Sequence, residues 1–339
     1  MNVLARFAAL LCLSLAGTCA SHAQPFQLPT RNRALFEPGG EERYFAPTPG
    51  KTWLSGTFGC VRSDGHQLHE GIDILWTQRD RKGEPTDPVT AAADGTVAYV
   101  NRKSGLSNYG NYLILRHRIE GLEVFTLYAH LASVRDDLQR GSPVKTGEAI
   151  GVMGRTTNTK TRITTDRAHL HFEISLVAND RYAAWHEANL VGLRNDHGNW
   201  NGRNLLGLDP RAVLLRQRAE GAQFSLLRYI QTQKELCRVL VRKGDFAFAQ
   251  QHRALVRANP ATSKEGVAAY ELVLNFNGVP CQLIPRAPSE IKGYSSKYHL
   301  LSVNDAEQKQ NGCRKLLAIK SGKWELTTTA HQHLDLLTY

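Results

Sequence analysis

Residues 168–174 read AHLHFEI, and apolar and polar side chains alternate along them. Every second residue from Leu170 is apolar, and every second residue from His169 is polar. This period of two is typical of a β-strand with one face against a core. The pattern therefore predicts a strand whose polar face carries His169, His171 and Glu173.

A second stretch, residues 68–74, reads LHEGIDI. In an extended chain His69, Gly71 and Asp73 share a face while the two isoleucines point into the core. Gly71 would leave space between the two potential ligands. A third stretch, YAHL, places His130 at the end of an apolar run and the start of a loop.

Residues 53 to about 176 are predicted to be all-β, because short apolar runs are broken by Gly, Asn and Ser and no helical period runs through them.

Residues 197–209 are predicted to form a polar loop. Asp209 and Pro210 then provide the N-cap and first position of a short helix that we expect to end at Leu215.

The remainder, residues 220–339, has a different pattern. Residues 236–241 and 269–274 are predicted as strands, and residues 246–256 as a helix. We therefore expect an additional mixed α/β region. Its sequence leaves open whether it targets a partner or braces the first region.

The N-terminus has the pattern of an export signal. Arg6 precedes a short apolar run, and small residues before Gln24 suit cleavage after Ala23. Residues 1–23 are predicted as a signal peptide and residues 24–50 as an irregular lead-in. Lipid attachment at Cys19 is a less favoured alternative, and no integral membrane segment is expected in the mature chain.

Export places the remaining cysteines in an oxidising compartment. Four stay after cleavage, and an even number permits two disulfides in three pairings. These residues are Cys60, Cys237, Cys281 and Cys313. There is no CxxC pair to indicate a thiolate metal site.

The chain is basic, with a formal charge of +11, which becomes +10 when Arg6 leaves. Anionic cell-wall polymers are candidate partners for such a surface. Nucleic acid is not expected, because the sequence contains no nucleic-acid-binding motif and export argues against it.

Six segments, in chain order, carry a resemblance to a known family: GTFGCVRSDGHQLHEGIDI, VTAAADGTVAYV, NYGNYLILRH, LYAHL, VKTGEAIGVMGRT and HLHFEI. Together they resemble the lysostaphin/LasA-type M23 zinc metallopeptidases over roughly residues 50–176. The resemblance implies a mainly β fold, with an antiparallel β-sheet peptidase domain at residues 51–215 followed by the C-terminal region. Cys60 and a polar insert at residues 76–87 depart from the family pattern.

The same resemblance implies roles for five residues. His69, Asp73 and His171 would bind one Zn²⁺ per chain, and His130 and His169 would be the catalytic pair. Two imidazoles and one carboxylate suit zinc and leave a coordination position for water. Glu173, on the same strand face, could orient a histidine ligand.

The implied activity is hydrolysis of the stem-peptide cross-links of bacterial peptidoglycan by an exported enzyme, in the periplasm or secreted. A metal-free or inactive relative that activates cell-wall amidases is the alternative. A direct D-alanyl cross-link is the first choice of substrate, and a glycyl bridge is the second. The sequence does not distinguish remodelling of the cell's own wall from attack on other bacteria.

Overall fold

The computed structural model describes residues 25–339, so the predicted signal peptide lies outside the described residues. The described chain forms antiparallel sheets connected by short helices and 3₁₀ turns. In chain order the strands are β1 (Gly59–Arg62), β2 (Gln67–His69), β3 (Ile72–Leu75), β4 (Pro88–Thr90), β5 (Gly95–Asn101), β6 (Asn111–Ile119), β7 (Leu122–Leu131), β8 (Ser133–Val134), β9 (Pro143–Val144), β10 (Ala149–Val152), β11 (His169–Val177), β12 (Leu205–Leu208), β13 (Glu235–Val241), β14 (Ala269–Asn275), β15 (Pro280–Arg286), β16 (Tyr298–Val303), β17 (Leu317–Lys320) and β18 (Lys323–Leu326). The α-helices are α1 (Glu41–Tyr44), α2 (Tyr182–Asn189), α3 (Pro210–Glu220), α4 (Leu226–Gln231), α5 (Ala247–Gln251), α6 (Pro260–Glu265), α7 (Asp305–Asn311) and α8 (Thr328–Thr338).

The largest sheet has seven strands, in the order β12-β11-β7-β6-β5-β9, with β3 also paired to β11. Its strand pairs are antiparallel, which confirms the predicted mainly β, antiparallel fold with a mixed C-terminal region. β11 is the hub of this sheet. It pairs with β7 along one side, and with β3 and then β12 along the other.

Both faces of β11 are enclosed, whereas the alternating pattern predicted one buried face. All nine of its residues are buried, including His169, His171 and Glu173. The alternation of side chains along the strand still places His169, His171 and Glu173 on one face. The polar face is closed by other polar groups instead of by solvent.

The predicted HxxxD strand is interrupted. β2 ends at His69 and β3 begins at Ile72, so Glu70 and Gly71 lie between two strands. The role expected for Gly71 was wrong. A Cβ there would lie 2.3 Å from the carbonyl oxygen of Phe172, so glycine is needed for the close approach of β11.

Three segment boundaries differ from the sequence prediction. The segment 197–209, predicted as a loop, contains 3₁₀ turns and strand β12, which adds to the edge of β11. Helix α3 starts as predicted, with the Asp209 side chain accepting from the N–H of Ala212, but it continues to Glu220. The predicted helix at 246–256 is split into α5 and a 3₁₀ turn.

The C-terminal region forms a second sheet, in the order β15-β14-β13-β16, and a hairpin of β17 and β18. Most of its buried apolar side chains belong to the same cluster as those of the first region, and Leu240, Ala269 and Ile291 form a small separate one. Two buried amides also cross between the regions. Asn277 Nδ2 donates to the carbonyl of Gly207 (2.9 Å), and Asn179 Nδ2 donates to the carbonyl of Leu336 (2.9 Å).

The expectation of two disulfides is only half met. Cys60 on β1 is bonded to Cys313, with a Cα–Cα distance of 5.6 Å, whereas Cys237 and Cys281 are free buried thiols. Cys237 lies on β13 and Cys281 on β15, with β14 between them. Two strand spacings amount to about 10 Å, which exceeds the reach of a disulfide.

The N-terminal lead-in packs against the sheet. Phe26, Tyr44 and Phe45 are fully buried, and Phe45 forms a bridge to Ile74 beside β3. Across residues 25–339, no helix combines the length and the apolar character needed to span a bilayer.

Candidate metal centre

Three buried donor atoms converge where β2, β3 and β11 meet. His69 Nε2 lies 3.1 Å from Asp73 Oδ1 and 3.1 Å from His171 Nδ1, and the latter two atoms are 3.0 Å apart. Each of the three residues is 5% exposed or less, so the group is closed to bulk solvent on most sides.

Strand register brings these residues together. His171 on β11 is directly opposite Asp73 on β3, and opposite residues of an antiparallel pair place their side chains on the same face. His69 ends β2, which pairs with β1 with Gly59 as its partner. The break at Glu70 and Gly71 turns the chain between the two donors.

Hydrogen bonds fix which nitrogen of each imidazole faces the centre. His69 Nδ1–H donates to the carbonyl of Thr57 (2.7 Å), which leaves Nε2 to carry the inward lone pair. His171 Nε2–H donates to Glu173 Oε1 (2.9 Å), which leaves Nδ1 inward. Partners of this kind orient metal-binding histidines and raise their basicity.

A tyrosine supports the second of these bonds. The hydroxyl of Tyr109 donates to Glu173 Oε1 at 2.6 Å. Burial and the charge of Glu173 raise the pKa of Tyr109 well above its ordinary value, so the hydroxyl stays protonated. Glu173 is thus held between a permanent donor and the ligand histidine.

Arg62, at the end of β1, supplies a cation at the edge of the centre. Its guanidinium donates to Asp73 Oδ2 and lies 3.0 Å from His69 Nε2. The two oxygens of Asp73 are therefore divided, with Oδ1 facing the two histidines and Oδ2 held by Arg62.

His130 and His169 lie beside the donor atoms without joining them. Their ring centroids are 4.9 Å apart, and the ring of His130 is 6.0 Å from that of His171. Each donates from Nδ1, His130 to the carbonyl of Thr156 (2.8 Å) and His169 to the carbonyl of Arg167 (2.5 Å). Both Nε2 atoms therefore carry a lone pair.

The backbone of His130 is unusual. Its φ of 60° is in the left-handed region, which costs a non-glycine residue energy, and its N–H donates to the carbonyl of Tyr109 at 2.8 Å. The surrounding bonds hold this conformation and aim the ring towards His169.

The imidazoles have opposite electrostatic environments. Burial lowers the pKa of His171, but hydrogen bonds to Asp73 and Glu173 outweigh it and raise the pKa to about 10. Burial, with the neighbouring imidazoles, lowers the pKa of His130 to about 3, and burial also lowers that of His169. The donor set attracts a cation, whereas the adjacent pair is neutral.

Sequence comparison identifies this region. Residues 67–183 match the profile of Peptidase family M23. These residues form an M23 peptidase domain. The match covers the five histidine and aspartate positions described above, and the family consists of zinc metallopeptidases.

The chain is also similar to individual M23 proteins. It is 37% identical over 107 residues to the DD-carboxypeptidase/endopeptidase Mpg of Neisseria meningitidis serogroup B, which covers 32% of this chain and 20% of that protein. The chain thus spans about one-fifth of the length of the curated relatives that it matches.

Solved structures give local matches. A zinc-containing peptidase from Vibrio cholerae is 29% identical over 32% of this chain and 26% of its own, with a TM-score of 0.24. The catalytic domain of the antimicrobial peptidase lysostaphin from Staphylococcus simulans is 20% identical over 51% of this chain and 88% of its own, with a TM-score of 0.28.

The donor set of the M23 domain fits zinc. Bond lengths of about 2.0–2.1 Å in tetrahedral geometry require donors about 3.3 Å apart, close to the separations of 3.0–3.1 Å found here. Two neutral imidazoles and a carboxylate are ligands that zinc accepts, and three protein ligands leave one position open.

The structure places all five sequence-predicted residues in one cluster within the M23 domain. Sequence reasoning missed Arg62, Tyr109 and the carbonyl of Thr57. Tyr109 and Arg62 both lie in segments that carry the family resemblance, but contacts between distant segments decide their partners. A backbone carbonyl has no sequence signal.

Proposed function

We propose that this chain is an exported zinc endopeptidase that hydrolyses peptide cross-links of bacterial peptidoglycan. The observation that carries the proposal is the convergence of His69 Nε2, Asp73 Oδ1 and His171 Nδ1 within 3.1 Å of one another, inside an M23 peptidase domain. The match to a DD-carboxypeptidase/endopeptidase supports a cell-wall peptide as substrate.

His69, Asp73 and His171 would hold the metal. When bound, zinc supplies Lewis acidity, which lowers the pKa of a water molecule towards about 7 and polarises the scissile carbonyl. The hydrogen bonds from His69 to Thr57 and from His171 to Glu173 keep the two ligand nitrogens directed inward. Arg62 keeps the carboxylate of Asp73 in place.

His130 and His169 would move the protons. Because each donates from Nδ1 to a carbonyl, each presents Nε2 as a base. Burial lowers both pKa values, so each imidazole is neutral near pH 7 and its Nε2 lone pair is available to the proton of the attacking water. The lowered pKa makes it a weaker base and a correspondingly stronger acid in the next step. The resulting imidazolium can donate to the leaving amine.

We further propose that residues 51–215 are the catalytic unit and residues 220–339 an accessory region, with residues 24–50 leading in. Residues 1–23 would direct export to the periplasm or the outside of the cell. The direct D-alanyl cross-link is the proposed bond, and a glycyl bridge is the second candidate.

Digestion of isolated cell walls tests the proposal. The zinc-loaded protein should solubilise walls and release new amino termini, and mass spectrometry of cross-linked muropeptides should locate the cut bond. Chelation should abolish the release, and added zinc should restore it. Metal-replete protein that leaves both D-alanyl and glycyl cross-links intact would refute the proposal and favour the amidase-activator alternative.

A further inference from the structure

A cavity of about 340 Å³ lies between the M23 domain and the C-terminal region. Leu68 and Glu70, on either side of His69 in the chain, form part of its wall. The same two residues also line a second, more open pocket that includes His69 and Arg62. The cavity and this pocket therefore share two wall residues.

The cavity contains a cation that forms no ion pair within residues 25–339. Arg314, from the C-terminal region, lines it, and within residues 25–339 its guanidinium has no hydrogen bond or ion pair. Its Nε is buried without an acceptor. Other partly buried arginines are paired: Arg238 and Arg286 share Glu271, and Arg155 binds Glu84.

Arg314 is partly exposed, but a buried guanidinium N–H without an acceptor is costly, so the buried Nε calls for a ligand that accepts from it. Burial lowers the pKa of Arg314, and the nearest charges that act on it are Glu70, which opposes this effect, and Arg203. Both of these residues also line the cavity. Two guanidinium groups and one carboxylate leave a net charge of +1, which suits a monoanion.

The covalent structure fixes Arg314 in this position. The preceding residue, Cys313, is bonded to Cys60 on β1, and its N–H also donates to Cys60 Sγ. β1 pairs with β2, which carries His69. The disulfide thus ties the cationic wall of the cavity to the strand that supplies the first metal donor.

We propose that this cavity is a subsite for a carboxylate group of the peptide substrate, anchored by Arg314. The forked guanidinium can bind both oxygens of a carboxylate, and Trp185 and Leu68 give the cavity an apolar wall for a short aliphatic group. The inference rests on the proposed function, because it assigns the C-terminal region a part in recognising the same substrate.

Binding of small probes to the full-length, zinc-loaded protein tests the subsite without requiring turnover. N-acetyl-D-alanine, which has a free carboxylate, should bind in isothermal titration calorimetry, and N-acetyl-D-alaninamide should bind at least 10-fold more weakly. Equal affinity for the two probes would overturn the proposal, and this comparison needs no variant.

Two variants locate the binding. Arg314→Gln should lower the affinity for N-acetyl-D-alanine 10-fold or more. Lys315→Asn removes a charge at the next, exposed residue, where the φ of 53° suits asparagine, and should bind as the wild type does. Carboxylate affinity unchanged in a folded Arg314→Gln protein would contradict the assignment.

A kinetic measurement separates this proposal from the proposed function. With a cross-linked muropeptide, Arg314→Gln should raise KM and leave kcat near the wild-type value, and the difference should disappear on a substrate with amidated carboxylates. If the wild type cuts neither substrate, the proposed function fails, and the calorimetric comparison still decides whether the carboxylate subsite exists.

Discussion

The chain contains the pattern His-x-His twice, and the two copies have different environments. His169 and His171 lie on strand β11, where side chains two apart share a face, and both are buried near Asp73. His331 and His333 lie on helix α8, where side chains two apart point in different directions. There His331 is exposed and His333 is buried.

The electrostatic environments of His171 and His333 differ accordingly. His171 lies between Asp73 and Glu173, which raise its pKa to about 10. Burial lowers the pKa of His333 to about 4, and its Nε2–H donates to the carbonyl of Gly278 (2.7 Å). Backbone period and neighbouring carboxylates, and not the tripeptide itself, distinguish the pair at the candidate metal centre from the pair on helix α8.

The largest expected effect separates the two copies by metal content. His171→Ala removes a donor from the centre, so purified protein should fall from about one zinc per chain to a trace, because two remaining donors hold zinc weakly. His331→Ala, at the exposed histidine of the helical copy, should retain full zinc. Elemental analysis after dialysis measures both, and equal zinc content in the two variants would contradict the assignment.

Loss of a proton-transfer residue should leave the metal in place. His130→Ala and His169→Ala should each reduce the rate of cross-link cleavage by about 10²–10⁴-fold, the usual contribution of a positioned acid or base. Their zinc content should match that of the wild type. Wild-type cleavage by either variant would remove that histidine from the proposed mechanism.

A smaller effect is expected from the group that orients His171. Glu173→Gln should weaken zinc binding by about 10–100-fold, because the His171 Nε2–H then donates to a neutral acceptor. Competition with a chromophoric chelator measures the change. Glu187→Gln, at an exposed glutamate of α2, is the control and should bind zinc as the wild type does.

A last effect concerns stability in acid and tests the helical pair, His331 and His333. Because burial lowers the pKa of His333 to about 4 in the folded protein, the unfolded chain takes up a proton near pH 6.5 while the folded chain does not. Stability is therefore full above pH 6.5 and falls as the pH drops to 4, by about 2–3 kcal/mol from this residue.

Urea unfolding of the metal-free protein at pH 7.5 and 4.5 measures that loss. His333→Gln keeps a donor for Gly278 and does not titrate, so its stability should fall less than that of the wild type over this interval. His252, whose pKa is also lowered to about 4 by burial, remains in both proteins. An identical pH dependence in the two proteins would contradict the account.

The local patterns that predicted the strands depend on alternation, which sequence displays directly. This is why His169 and His171 are predicted on one face of β11. The predicted strands at 236–241 and 269–274, which do not alternate, also lie within a residue of the bounds of β13 and β14. The meeting of His69, Asp73, His130 and His171 rests on register between strands far apart in the chain. The prediction that these residues meet therefore came from the family resemblance and not from the residues alone.

Features that depend on contacts between regions could not be predicted. The pairing of Cys60 with Cys313 joins residues 253 positions apart, and no local pattern distinguishes it from the other pairings. The closure of the polar face of β11, the partners of Arg62 and the isolation of Arg314 likewise depend on packing. Strand β12 at 205–208 was not predicted, because it is short and contains a glycine, features that a strand at the edge of a sheet tolerates.

In the proposed enzyme, one zinc ion is held by His69, Asp73 and His171. The direct measurement is anomalous diffraction at the zinc absorption edge from crystals of the full-length protein. We expect one strong peak within bonding distance of His69 Nε2, Asp73 Oδ1 and His171 Nδ1. A zinc-replete crystal with its peak at other side chains, or with His130 or His169 among the ligands, would contradict it.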